Sequence, residues 1–172
     1  KDGGNFELST MYHLIFLEDI LDLVNIHHTY GRALPEGLPE LIPSMFHWLE
    51  TMCHPDGEIS FFNDAALGVT PSVEEIRDYL DRISGLAIFT GFSLGKKSPL
   101  IPIHPVKRLL VDLPDSGYSR VEMKDAVVLI DRAAVGPDYL PGHAHADTLS
   151  FELSLFGQRL VVNSGTSVYG AG

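Results

Sequence analysis

The chain has 172 residues, 45% apolar and 20% charged, a globular balance that excludes wholesale disorder. Its 23 acidic residues against 12 basic ones give a formal net charge of -11, and no basic run is present, which argues against a nucleic-acid partner. A single cysteine, Cys53, excludes an internal disulfide framework, and no apolar run is long enough to span a membrane.

The first half reads as helical and the second as strands. Ser9 and Thr10 are cap residues for a first helix, whose apolar positions Met11, Leu14, Leu17, Leu21 and Val24 recur at helical spacing. Gly31 is its expected stop. A second helix runs from about Pro39, with Leu41, Ile42, Met45, Trp48, Leu49 and Met52 on one face, and ends before Pro55-Asp56-Gly57. Thr70-Pro71 offers an N-cap and a first-turn proline for a third helix, and Ser72 with Glu75 adds a capping box. Its stripe is Val73, Ile76, Leu80 and Ile83, closed by Gly85. Residues 90–107 carry glycines and prolines without a period and read as a linker.

Strands are expected over Arg108–Leu113, Tyr118–Met123, Ala126–Asp131, Thr148–Leu155 and Arg159–Asn163. Turns are expected at Asp115-Ser116-Gly117 and Phe156-Gly157-Gln158. Leu149, Phe151, Leu153 and Leu155 alternate with Ser150, Glu152 and Ser154, which suits an antiparallel sheet with one buried face. Helices followed by strands, without alternation, predict a two-part α+β chain: residues 1–89, a linker, and residues 108–172. So few strands leave sheet edges unpaired, so the chain is expected to be a piece of a longer protein.

Chemistry concentrates in two places. In His143-Ala144-His145-Ala146-Asp147 three ionisable residues alternate with small ones, so an extended backbone would point all three to one side. Burying them requires a partner such as a metal or an anion, and a solvated loop is the plainer alternative. A binuclear metallohydrolase built on His143, His145 and Asp147 is one reading, but Thr148 stands where that motif places a further histidine. A cupin is another, but Glu152 comes too late and on the opposite face. Tyr12 falls in the first turn of the first helix, where exposed backbone N–H groups favour a developing phenolate. Its plainer alternative is a core tyrosine with a satisfied hydroxyl. His13, His27, His28, His47, His54 and His104 show no ligand spacing and read as structural or surface groups, and Cys53 as a small buried hydrophobe. Asp56 and Asp64 lie in loops and read first as turn formers, with lining a cleft as the alternative.

Together, Asp2-Gly3-Gly4-Asn5-Phe6-Glu7-Leu8-Ser9-Thr10-Met11-Tyr12-His13 and Gly142-His143-Ala144-His145-Ala146-Asp147-Thr148-Leu149-Ser150-Phe151-Glu152-Leu153 resemble the heparinase II/III-like family of polysaccharide lyases. Val161-Val162-Asn163-Ser164-Gly165-Thr166, His54-Pro55-Asp56-Gly57 and Phe62-Asn63-Asp64 extend the resemblance over nearly the whole chain. It implies the last helices of an α/α toroid followed by the first strands of an antiparallel β-sandwich. It also implies a lyase that cleaves a uronic-acid-containing glycan by β-elimination, with an acidic polysaccharide as partner and a periplasmic or secreted location. By the resemblance Tyr12 is the acid/base, His143 the first active-site histidine, and His145 a ligand of one structural zinc ion. Asn163 stands where several relatives place an aspartate ligand, and an amide oxygen is a poorer zinc ligand than a carboxylate. The family's Asn-His pair would lie before Lys1 and a third metal histidine after Gly172, so the chain alone is expected to be inactive. A non-catalytic glycan-binding protein on the same fold is the competing reading.

Overall fold

A computed structural model describes residues 2–84, 109–135 and 141–165. Three helices come first: α1 (Thr10–Thr29), α2 (Leu38–Thr51) and α3 (Val73–Ser84). Five strands follow: β1 (Leu109–Leu113), β2 (Tyr118–Met123), β3 (Ala126–Asp131), β4 (Phe151–Leu155) and β5 (Gln158–Val161). The strands form one antiparallel sheet in the order of the chain. The linker expected over 90–107, Arg108 and the stop at Gly85 lie outside the described residues.

Ser9 caps α1 in extended conformation, its Oγ accepting the Tyr12 N–H at 3.2 Å. The stripe read from the sequence is the buried one: Met11, Leu14, Leu17, Leu21 and Val24 pack with Ile42, Met45, Phe46 and Leu49 of α2 and with Ile76, Leu80 and Ile83 of α3. The helix starts at α3 need one correction. Ser72, rather than Thr70, is the cap: the Glu75 N–H donates to Ser72 Oγ, and the Glu75 carboxylate accepts from the Ser72 N–H. This reciprocal pair satisfies two orphan donors at once and outcompetes a start two residues earlier.

A second core forms where α2 meets the sheet. Trp48, Met52 and Phe62 pack against Leu113, Tyr118, Val127 and Leu129. Trp48 is fully buried, and its indole N–H donates to Ser116 Oγ at 2.8 Å. Arg120 of β2 donates to the Thr51 and Cys53 carbonyls at 3.2 and 2.5 Å, placing a cation at the C-terminal end of α2.

The sheet departs from expectation at β4. Alternation is present, but the buried side is the polar one: Glu152 and Ser154 are 0% and 1% exposed, while Phe151 is 48% exposed. The helical part offers this face polar groups as well as apolar ones. His54 meets Glu152 and Ser154 there, and the Phe61 N–H also reaches Glu152. Strand β4 also starts late. Leu149 has φ +70 and, with Ser150, faces the single residue Asp131, to which the Leu149 N–H and the Ser150 carbonyl still bond, so regular pairing begins only at Phe151. Strand β5 likewise is Gln158–Val161 and stops short of Asn163.

Candidate active site

The N-terminal segment is fastened at both ends to deliver α1. Asp2 accepts from the Ser116 N–H at 2.7 Å, which ties this segment to the turn between β1 and β2. Gly3 has φ +95 and lies so close to α2 that a Cβ there would stand 2.2 Å from the Ser44 carbonyl oxygen. At the other end the Leu8 carbonyl accepts from Tyr118 Oη at 2.7 Å and from Asn63 Nδ2 at 3.1 Å. His13 is buried, with its Nδ1 facing the Asn5 N–H and its Nε2 facing the Met45 carbonyl. Nδ1 therefore accepts and Nε2 donates, which defines a neutral imidazole. Burial pushes its pKa down to about 4, against the raising effect of the Met45 carbonyl.

Asn63 joins this segment to the chain carrying the histidines. Its φ of +57 is in the left-handed region that asparagine tolerates. Its N–H donates to Asp147 Oδ2 at 2.5 Å, its Oδ1 accepts from the His145 N–H at 3.1 Å, and its Nδ2 reaches both Leu8 O and Tyr118 Oη. One side chain thus binds the loop before α1, strand β2 and the 143–147 segment. Tyr118 is a fixed donor in this network. Burial first, then the charges of Asp131 and Asp147, hold its phenol well above the usual tyrosine range.

The result is a contact between two distant rings. Tyr12, in the first turn of α1, and His143, in a short 3-10 turn over Pro141–His143, lie with ring centroids 4.3 Å apart and planes tilted by 49°. His143 Nδ1 is 2.8 Å from Asp64 Oδ2. Its Nε2 is 3.9 Å from Glu7 Oε1. The imidazole is one-third exposed and Asp64 is buried, so the pair opens to solvent on the histidine side.

The other candidates are not gathered with them. His143, His145 and Asp147 do not share one face: His143 turns to Asp64, the His145 main chain bonds Asn63, and Asp147 is buried against the Asn63 N–H. The 3-10 turn before Ala144 breaks the extended alternation on which the one-face expectation stood. Asn163 uses its Oδ1 to accept from the Gly165 N–H, and its own N–H donates to Glu152 Oε1. Among the described residues no three His, Cys, Asp or Glu side chains converge as a metal set. Asp64, for which the sequence left cleft lining as the alternative to a turn, and Asn63 are the loop residues that join these parts.

Comparison with known proteins follows this geometry. Residues 1–83 match the heparinase II/III N-terminus, and residues 105–172 match the heparinase II/III-like C-terminal domain. The chain belongs to the heparinase II/III family. No curated protein matches it significantly in sequence. Among solved structures, the heparan sulfate lyase HepC from Pedobacter heparinus is similar, with a TM-score of 0.70 and 18% identity over 99% of this chain. The heparinase III-BT4657 gene product is similar with a TM-score of 0.71 and 20% identity over the whole chain. This chain spans only 27% of the length of each. The heparinase II/III fold is thereby established: three helices, then an antiparallel five-stranded sheet, from the stretch where toroid passes into sandwich.

Proposed function

We propose that the intact protein is a polysaccharide lyase that cleaves a uronic-acid-containing glycan by β-elimination, with Tyr12 and His143 at the reacting sugar. The observation that carries this reading is the 4.3 Å contact between a phenol from the helical part and an imidazole from the sheet part, 131 positions apart in sequence. Neither ring is buried out of reach, and their junction lies between two structural units, where clefts commonly form.

β-Elimination takes the proton from the carbon beside the uronate carboxylate and expels the glycosidic oxygen. The carbanion-like intermediate is stabilised only when hydrogen-bond donors or cations face that carboxylate. Tyr12 as phenolate takes the proton and, as phenol, returns one to the departing oxygen. Its place in the first turn of α1 sets the free N–H groups of a helix start near the negative charge that develops. His143, held through Nδ1 by Asp64, meets the carboxylate through Nε2 as imidazolium, because a bare Nε2 only accepts and would repel it. The structural neighbours, a heparan sulfate lyase and a heparinase III, support an acidic polysaccharide as substrate. Such a polymer is encountered outside the cytoplasm, which supports a periplasmic or secreted location.

The test is incubation of the full-length protein with alginate, glycosaminoglycans and bacterial exopolysaccharides. The expected product is an unsaturated, ultraviolet-absorbing sugar end. Tyr12→Phe should abolish it, by about 10²-fold or more, while glycan binding survives. Binding without turnover in the unsubstituted protein would instead identify a non-catalytic glycan-binding member of the family.

A further inference from the structure

Asp64, a loop residue, touches both halves of the candidate site. Its carboxylate oxygen Oδ2 lies 2.8 Å from His143 Nδ1. Its main-chain carbonyl accepts from Ser9 Oγ at 2.7 Å, a buried bond across 55 positions. Ser9 Oγ in turn accepts from the Tyr12 N–H. One residue therefore fixes the imidazole with its side chain and, through the cap of α1, the turn that carries the phenol.

The chemistry of the contact is directional. A carboxylate only accepts, so the nitrogen facing it carries the proton. The Asp64 contact at 2.8 Å is a hydrogen bond, whereas Glu7 Oε1 stands 3.9 Å from Nε2, beyond hydrogen-bond reach, so the neutral ring carries its proton on Nδ1. An unrestrained neutral histidine would populate both tautomers and several ring orientations. The buried position of Asp64, 4% exposed, keeps this bond out of competition with water.

We infer that Asp64 is a positioning residue: it holds His143 in the Nδ1–H tautomer with Nε2 toward the sugar, and its carbonyl seats the cap that places Tyr12. This rests on the lyase reading for its consequence in turnover, but its tautomer claim stands without substrate. In the full-length protein labelled with ¹⁵N-histidine, neutral His143 should show a protonated Nδ1 and a bare Nε2. The opposite tautomer overturns the inference without any variant being made.

Asp64→Asn keeps size and removes the obligate acceptor. It should lower kcat by about 10²- to 10⁴-fold, the range seen when a carboxylate that orients a catalytic histidine becomes an amide. KM should stay within about threefold, as expected when only transition-state stabilisation is lost. The Nδ1–H signature should disappear, and Asp64→Glu, which restores the charge, should recover part of both. A folded Asp64→Asn protein with unchanged kcat and tautomer overturns the inference while leaving the lyase reading intact. Absence of any unsaturated product from the unsubstituted protein, with the tautomer present and lost in Asp64→Asn, defeats the lyase reading while supporting the role of Asp64.

Discussion

Glu152 is the residue on which the junction between helices and sheet most depends, and its removal has a calculable effect. The side chain is fully buried and has three partners. Oε2 lies 2.5 Å from His54 Nε2, and Oε1 accepts from the Phe61 N–H at 2.6 Å and from the Asn163 N–H at 3.2 Å. Glu152→Ala orphans these groups. Each buried donor left unmade costs about 1–3 kcal/mol. One fully buried partner at about 2–3 kcal/mol and two half-buried amides at about 1 kcal/mol each then sum to about 4–5 kcal/mol, in line with the loss when one member of a buried pair is removed. Glu152→Gln keeps an oxygen for the two amides and turns an NH₂ toward His54, which can answer by donating from Nδ1 to Ser154 Oγ, 2.7 Å away. Its cost should be about 1–2 kcal/mol. Hydrogen exchange in the full-length protein is the suitable assay, because global unfolding of a long chain need not be two-state whereas exchange reads local opening. Protection over residues 59–64 should fall about 10³-fold in Glu152→Ala and about tenfold in Glu152→Gln. Equal effects of the two substitutions, or no loss in either, would refute the view that this polar contact holds the junction.

Two further predictions concern acid and stability. His13 has its pKa lowered to about 4 from 6.5, chiefly by burial, so the unfolded chain binds the proton more readily. The stabilisation is complete above pH 6.5 and is lost as pH falls toward about 4, amounting to about 3 kcal/mol; His13→Gln should flatten this part of the stability–pH curve. Asp131 runs the other way, since burial and the neighbouring Asp147 charge raise its pKa to about 6 from 3.8 despite the Ala133 N–H. Its ionised form is strained in the fold at pH 7, and stability is regained as pH falls through 6. Asp131→Asn should therefore raise the melting temperature at pH 7, by an amount limited to the equivalent of about 1–2 kcal/mol, because the amide weakens the bond that the carboxylate accepts from the Ala133 N–H.

Local signals carried well into the structure where one residue decides the outcome. The Ser9 cap and the stripe of α1 are as read, because capping and helical spacing are properties of neighbouring residues. Strands β2 and β3 have the expected bounds for the same reason. What local signals leave open is orientation. The Glu152 and Ser154 side of β4 is buried because His54, nearly a hundred positions earlier, waits opposite it. No window along the chain contains that pairing. Asp64 and Asn63 carry no more than a turn signal in the sequence, with cleft lining as the alternative for Asp64, since a loop Asn-Asp ordinarily forms a turn. Their meaning lies in partners 79 to 84 positions away. The Tyr12 and His143 pair was found only by family resemblance, not by spacing.

The central claim is that Tyr12 and His143 act on one sugar ring, and a structure of full-length Tyr12→Phe with an acidic oligosaccharide bound tests it most directly. The account predicts a uronate whose carboxylate meets the exposed nitrogen of His143 and whose C5 lies about 3–3.5 Å from where the phenol oxygen would stand. An oligosaccharide seated with its uronates away from both rings, in a protein that turns over the same polymer when Tyr12 is present, would contradict it.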